Sequence, residues 1–438
     1  MSEIKLFAVT GQPIFHSRSP QIFNSLFHSL RMDAVYIRIN AMSAEEVIKT
    51  ARAMKLSGFN VTSPHKYGIM KNLDDVEEHA RTIGAVNTVV VDNGKWIGHN
   101  TDFIGVAETL KNNSIEPQNI NIAILGAGGA ARAAAYGLIN SNAKKVILLN
   151  RTEERAKKAS LQLGCDYAPL EKGKEILDKS DILISCIPSV QRVVNPDFLN
   201  SDLVVMDANY KDSVLIHDAV EKGCRTINGL EWLVYQALPA FYLFTGQKIS
   251  KDLQRKILND VLMKKAMYKP NIALIGFMGT GKTTVGQLLA EKKGFRFMDI
   301  DKIIEESSGK TIPEIFRKKG EKAFREIEKS VILKKIPDAH ETVFSLGGGV
   351  ILDEKNRNIL NKYCHVIWLW ASVQTALKQI NISSRPLLSQ KNPEKIAKRI
   401  LTARIPLYAK VSDLAISTET SNAEEIAKRI KDEMGQTL

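Results

Sequence analysis

The chain has 438 residues, 44% apolar and 25% charged, a globular composition that excludes wholesale disorder and a length that suggests about three domains. Lys and Arg number 61 against 48 Asp and Glu, a net charge of +13, but the basic residues are spread along helical patterns rather than gathered in a tail. That spread argues against a nucleic-acid partner and for small anionic substrates.

In chain order, Leu6–Thr10, Val35–Ile39 and Gly58–Thr62 read as strands, with helices predicted over Pro20–Leu30 and Ala44–Met54. Asn121–Leu125 is an apolar strand that runs into a glycine turn and a helix over Ala130–Asn140. Val146–Asn150, Ile182–Cys186 and Leu203–Asp207 continue that series as strands. A second series begins at Asn271–Ile275, again a strand into a glycine turn, and continues with Val343–Leu346 and Val366–Trp370. Strands alternating with amphipathic helices predict α/β architecture with parallel sheets. Between the series, Ser250–Met267 is polar and helix-forming, and Lys269–Pro270 interrupts it. No stretch has the roughly 18 apolar residues of a membrane span, and the first residues lack a signal-peptide pattern. Four scattered cysteines (Cys165, Cys186, Cys224, Cys364) carry neither disulfide nor metal spacing. A cytoplasmic protein with no membrane partner is expected.

Gly276-Phe277-Met278-Gly279-Thr280-Gly281-Lys282-Thr283 fits G-x-x-x-x-G-K-[ST] between a strand and a helix. The glycines let backbone N–H groups approach phosphate oxygens, Lys282 reaches the β- and γ-phosphates, and Thr283 ligates Mg²⁺. ATP is therefore expected on Gly279, Thr280, Gly281, Lys282, Thr283 and Thr284. The other loop, Gly126-Ala127-Gly128-Gly129-Ala130, also opens a helix but departs from strict G-x-G-x-x-G. The end of the next strand carries Asn150-Arg151-Thr152, with Arg155 one turn on. Cations there suit the 2′-phosphate of NADP(H), whereas NAD sites carry an acid.

From about Ile272 to the end the chain resembles a shikimate kinase. Asp299-Ile300-Asp301 matches the family's D-x-D, which implies that Asp299 assists Mg²⁺, directly or through water, and that Asp301 hydrogen-bonds the acceptor hydroxyl. Phe324-Arg325-Glu326-Ile327-Glu328 matches F-R-x-x-E, whose Arg pairs with the substrate carboxylate. By the same resemblance Gly347, Gly348 and Gly349 approach the substrate ring, and Arg385 of Arg385-Pro386-Leu387-Leu388 reaches the transferring phosphate. Arg404 supplies a second carboxylate contact.

From Ile4 to about Leu262 the chain resembles a shikimate dehydrogenase. His16-Ser17-Arg18-Ser19-Pro20 matches H-S-x-S-P, which implies that the Ser17 and Ser19 hydroxyls hold the substrate carboxylate. Asn60-Val61-Thr62-Ser63-Pro64-His65-Lys66 matches N-V-T-x-P-x-K, whose Lys is catalytic. Ala85-Val86-Asn87-Thr88 and Asn100-Thr101-Asp102 match motifs whose Asn and Asp contact the ring hydroxyls. Thr62, Tyr210 and Gln236 fall at further substrate contacts, although Lys211-Asp212-Ser213 departs from the family's pattern. Lys66, assisted by Asp102, is expected either to donate a proton or to stabilise an alkoxide.

These resemblances imply a split α/β substrate domain, 1–104 with 236–262, and a Rossmann-like NADP domain, 105–235. A linker, 263–270, precedes a P-loop α/β domain of the nucleoside-monophosphate-kinase kind, 271–438. The implied activities are reduction of 3-dehydroshikimate and phosphorylation of the resulting shikimate. Each half has its own carboxylate-binding set, so release and rebinding of shikimate are expected. A preference for quinate, or one half serving only as a binding module, stays open on the sequence, which leaves the oligomeric state unspecified.

Overall fold

The computed structural model describes residues 4–187, 192–210, 213–263, 269–382, 386–388 and 392–435. In chain order the strands are β1 (Lys5–Gly11), β2 (Ala34–Asn40), β3 (Gly58–Val61), β4 (Asp75–Val76), β5 (Thr88–Asp92) and β6 (Lys95–His99). Then follow β7 (Asn121–Leu125), β8 (Lys145–Asn150), β9 (Asp166–Pro169), β10 (Ile182–Ser185), β11 (Val204–Asp207) and β12 (Arg225–Asn228). The last third supplies β13 (Asn271–Ile275), β14 (Arg296–Asp299), β15 (Thr342–Ser345), β16 (Cys364–Trp370) and β17 (Leu414–Ser417).

Packing divides the chain into two compact units, one from the described residues of Met1–Pro20, Arg31–Leu56 and Lys265–Leu438, the other from Gln21–Leu30 and Ser57–Lys264. The first unit holds parallel strands in the order β14-β15-β13-β16-β17-β2-β1. Its central strands β13 and β16 are buried along their whole length. Covered parallel strands read as unbroken apolar runs, which is why NIALI was recognisable as one. Trp368 stacks on Tyr408 at 5.5 Å between ring centroids and fixes the long helix Pro393–Val411 to the sheet. Helix Ala423–Met434 starts at a capping box between Asn422 and Glu425, which satisfies two backbone donors at its first turn.

In the second unit, parallel strands run β12-β11-β10-β7-β8-β9, the order of a doubly wound dinucleotide fold. Ile122, Ile124, Leu148, Ile184 and Met206 from its strands meet Ala134 and Leu138 from helix Gly129–Asn140 in one buried cluster. Fully burying each large aliphatic side chain contributes about 1.5–3 kcal/mol. Strands β3, β5, β6 and β4, neighbours in that order, lie in the same unit.

β1, β2 and helix Ala44–Ala53 fall in the same compact unit as the described residues of Lys265–Leu438. The helix expected over Ser250–Met267 runs Lys251–Met263, and residues 264–268 lie outside those described. Among the described residues no helix is long and apolar enough to cross a membrane.

Candidate active sites

In the second unit, β3 leads into a loop in which the His65 N–H donates to the Thr62 carbonyl at 3.0 Å. The next residue, Lys66, places Nζ 2.5 Å from Asp102 Oδ2, with only 15% and 10% of the two side chains exposed. Asp102 opens helix Asp102–Asn112. Its backbone N–H donates to Asn100 Oδ1 at 3.0 Å, and its carbonyl accepts from Trp232 Nε1 at 2.9 Å. The amide of Asn87 lies 2.8 Å from Asp102 Oδ1 and 3.1 Å from Gln236 Oε1. Both carboxylate oxygens of Asp102 are thus engaged, one by a cation and one by an amide.

Gly105 allows this convergence. A Cβ there would lie 2.7 Å from Gln236 Cβ and 2.8 Å from Gln236 N, so any larger residue would push helix Gly229–Thr245 and its Gln236 away. Sequence reasoning assigned no role to Trp232, whose only sequence signal is that it lies one turn before Gln236.

The glycine loop after β7 stands beside this cluster. Gly126 has φ +109° and donates to the Leu149 carbonyl at 2.7 Å, a conformation that favours glycine. Gly128 is the N-cap of helix Gly129–Asn140 and offers no side chain to the first turn, and a helix N-terminus so capped suits an anion. The hydroxyl of Tyr67 donates to the Ala127 carbonyl at 3.4 Å. Ala130 is half-buried in the first helical turn. At the end of β8, Asn150 Nδ2 donates to the Thr152 carbonyl at 2.8 Å, while Arg151, Thr152 and Arg155 are exposed. Among the described residues neither Arg151 nor Arg155 forms an ion pair. Burial raises the pKa of the Tyr67 phenol, and the positive charges of Arg132 and Arg155 oppose that rise. Tyr210 is half-buried just beyond β11, and Lys211 and Asp212 lie outside the described residues.

In the first unit, Ser17 Oγ donates to Ser19 Oγ at 3.3 Å, and both residues are buried. The Ser17 carbonyl accepts from Arg38 Nε at 2.9 Å and Nη2 at 2.6 Å.

The second glycine loop also lies in the first unit, between β13 and helix Lys282–Lys293. Gly276, Gly279 and Gly281 have φ of +145°, +79° and +79°. Lys282 Nζ folds back onto the carbonyls of Gly276 and Phe277 at 3.1 and 2.8 Å, and Thr280 Oγ1 donates to Phe277 at 2.9 Å. Thr283 Oγ1 donates to Asp299 Oδ2 at 2.8 Å and lies 3.3 Å from Ser345 Oγ. Thr284 is exposed on the same turn. Asp299 also caps helix Ile300–Ser308, accepting from the Asp301 N–H at 3.0 Å. Among the described residues no group of three or more His, Cys, Asp and Glu is arranged to hold a metal. The hydroxyl–carboxylate pair of Thr283 and Asp299 nonetheless suits Mg²⁺, which takes one or two protein oxygens and completes its shell with phosphate and water.

Just after β15, Gly347 lies against two acids. A Cβ on it would lie 2.8 Å from Glu328 Oε1 and 3.0 Å from Asp301 Oδ1. Arg325 Nη1 donates to Glu328 Oε2 at 2.8 Å, and the Arg325 guanidinium packs against Gly349. The Gly348 carbonyl accepts from Arg404 Nη1 at 3.0 Å and from the Tyr408 hydroxyl at 2.5 Å. Asp301, Arg325, Arg404 and the three glycines therefore converge. Burial raises the Glu328 carboxyl to about 7, against the opposing pull of Arg325. Glu328 and Tyr408 were given no role from sequence, although i, i+3 spacing from Arg325 and i, i+4 spacing from Arg404 place them on the same helix faces. Arg385 lies outside the described residues.

Three family models match the chain in order. "Shikimate dehydrogenase substrate binding domain" covers residues 9–89, "Shikimate / quinate 5-dehydrogenase" covers 108–218, and "Shikimate kinase" covers 278–435. The chain is 35% identical over 282 residues to a "Shikimate dehydrogenase (NADP(+))" of Methanocaldococcus jannaschii, covering 60% of this chain and 99% of the relative. A protein of the same name from Thermococcus kodakarensis is 39% identical, over 58% of this chain and 96% of its own length. A solved shikimate dehydrogenase in complex with NADP+ superposes with a TM-score of 0.54 at 35% identity, over 60% of this chain and 98% of its own. The Thermus thermophilus shikimate 5-dehydrogenase in complex with NADP(H) and shikimate gives 0.53 at 30% identity, over 59% and 99%.

Proposed function

From the premise that this chain belongs to the shikimate dehydrogenase family and carries a shikimate kinase domain behind it, we propose a division of labour among its residues. The protein is a bifunctional shikimate-pathway enzyme: NADPH-dependent reduction of 3-dehydroshikimate to shikimate, then phosphorylation of shikimate by ATP to shikimate 3-phosphate. The modules carrying the two steps are 1–104 with 236–262 and 105–235 for reduction, and 271–438 for phosphorylation. We place the protein in the cytoplasm, a location with which its four free cysteines agree.

For the reduction, bound NADPH supplies the hydride. Lys66 Nζ gives the proton that the new alkoxide requires, and Asp102 holds that ammonium in place. Asn87, Gln236, Thr62 and Tyr210 hold the ring hydroxyls, and Ser17 and Ser19 hold the carboxylate. The N–H groups of Gly126–Ala130 and the helix they open carry the pyrophosphate. Arg151 and Arg155 pair with the 2′-phosphate, with Asn150 and Thr152 shaping the turn between them. The observation that carries this reading is the 2.5 Å Lys66–Asp102 contact, which lies against the first turn of the nucleotide helix.

For the phosphorylation, Arg325 and Arg404 hold the shikimate carboxylate, and Asp301 accepts the hydrogen of the attacking 3-hydroxyl. Gly347, Gly348 and Gly349 let the ring approach backbone. Gly279, Thr280, Gly281 and Thr284 cradle the phosphates, while Lys282 and Arg385 neutralise charge on the transferring group. Thr283 and Asp299 would hold Mg²⁺, which balances phosphate charge there.

The deciding experiment supplies the purified chain with 3-dehydroshikimate, NADPH and Mg·ATP. Shikimate 3-phosphate should form, with NADPH and ATP consumed in equal amounts. Accumulation of shikimate without phosphorylation, or no NADPH oxidation, would overturn the corresponding half of the assignment.

A further inference from the structure

The loop that carries Ser17 is held by the end of the chain. Glu433, on helix Ala423–Met434, is 2% exposed. Its carboxylate accepts from the Ile14 N–H at 2.8 Å and the Phe15 N–H at 2.7 Å. From Ile14 the chain turns directly to the serine, because the Ser17 N–H donates to the Ile14 carbonyl at 2.9 Å. Glu433 also accepts from the amide of Asn40, the last residue of β2. Arg429, one turn earlier, donates to Asn40 Oδ1 at 2.8 Å and to Glu46 at 3.0 Å.

A second tie reaches the same loop. Arg38 donates to the Ser17 carbonyl through Nε and Nη2, and through Nη1 to the Asp413 carbonyl at 3.1 Å. The Asp413 carboxylate is itself fixed by Lys269 at 2.7 Å. Phe15 meets His365 edge-on at 5.4 Å. Glu433, Asp413 and His365 all lie within the residues matched by the shikimate kinase model, 278–435, whereas the dehydrogenase relatives are nearly spanned by only about three-fifths of this chain.

We propose that Glu433 is a positioning residue for the dehydrogenase reaction, supplied by the kinase module and acting through the Ile14–Ser17 turn, with Arg38 as its second brace. This rests on the reading of Ser17 and Ser19 as carboxylate ligands. A buried carboxylate bonded to two backbone N–H groups is a strong, directional anchor, and its loss leaves two buried donors unsatisfied. The serine pair grips the substrate equally in ground and transition states, so loosening it raises KM and leaves kcat alone.

The test uses the full chain with Glu433→Gln, Arg38→Met, Ser17→Ala and the double variant Ser17→Ala/Glu433→Gln. Glu433→Gln, which puts an NH₂ where an acceptor stood, should raise the KM for shikimate in the dehydrogenase reaction by about fivefold or more. Its kcat, its KM for NADP⁺ and the kinase rate should keep their wild-type values. Arg38→Met should show the same split, and carries the test alone if Glu433→Gln does not fold. The double variant should bind shikimate no worse than Ser17→Ala, because both substitutions act on one contact. Unchanged KM in Glu433→Gln, a parallel fall of kcat, or multiplicative losses in the double variant would each overturn the proposal. A raised KM in Glu433→Gln with none in Ser17→Ala would instead remove the serine from the carboxylate site and leave the link between Glu433 and substrate binding standing.

Discussion

Gly129 faces Lys66: a Cβ on the glycine would lie 3.2 Å from Lys66 Cδ and 3.3 Å from Ala85 Cβ. The first residue of the nucleotide helix and the proposed proton donor therefore share one contact surface. Gly129→Ala should displace Lys66 by a few tenths of an ångström and impair both NADP⁺ binding and turnover, with Gly129→Val worse. Initial-rate kinetics that show only a nucleotide KM effect would place Lys66 out of reach of the helix.

Lys66→Ala should abolish shikimate oxidation, since positioned acid–base groups contribute about 10²–10⁴ in rate, and leave phosphorylation near wild type. Lys282→Met should do the reverse, removing the cation that folds over the Gly276–Lys282 loop. Separate assays of the two reactions on each variant check both. Dehydrogenase activity close to wild type in Lys66→Ala would refute the assigned role.

Replacing Arg151 and Arg155 together by Gln should raise the KM for NADPH about tenfold or more over any change for NADH. A charge-assisted contact contributes about 1.5–3 kcal/mol, and tenfold corresponds to about 1.4 kcal/mol. Equal effects on the two cofactors would mean that neither residue reads the 2′-phosphate.

Glu328 predicts a pH dependence. Burial raises its carboxyl from 4.5 to about 7, so between those values the unfolded chain has released a proton that the folded chain retains. Its contribution to stability is thus full below about pH 4.5 and is lost as pH rises through about 7. Glu328→Gln removes the titration. In thermal unfolding followed from pH 5 to 8, the variant should gain on the wild type as pH rises. A constant difference would show that Glu328 titrates in its ordinary range.

Much of this arrangement was legible in the sequence because it is local. Asn121–Leu125 and Asn271–Ile275 were expected as strands and occur with those bounds, since each is an apolar run stopped by a glycine turn. The Lys66–Asp102 contact was expected only through family resemblance, because 36 residues separate the pair and no spacing rule connects them. β9 and β12 escaped notice because Asp166–Pro169 and Arg225–Asn228 contain no unbroken apolar run, unlike the equally short β10 and β11, which were expected. The grip of Glu433 on Ile14 spans 419 positions. An acid in the last turn of an amphipathic helix reads as a solvated surface group, whereas Glu433 is 2% exposed and accepts from Ile14, Phe15 and Asn40.

The pairing of β17 with β2, Ala415 beside Ile39 and Ile416 beside Asn40, bears on the fate of partial chains. A strand with a bare side offers its row of N–H and C=O groups to any other chain that can pair with it. In the intact protein β2 hides that row against β17, and the rest of the sheet continues through β16. A chain that stops before β17, whether by premature termination or proteolysis, exposes the adhesive side of β2. Such fragments are expected to clump, so the segment from Leu414 onward acts as a guard against self-association for β2.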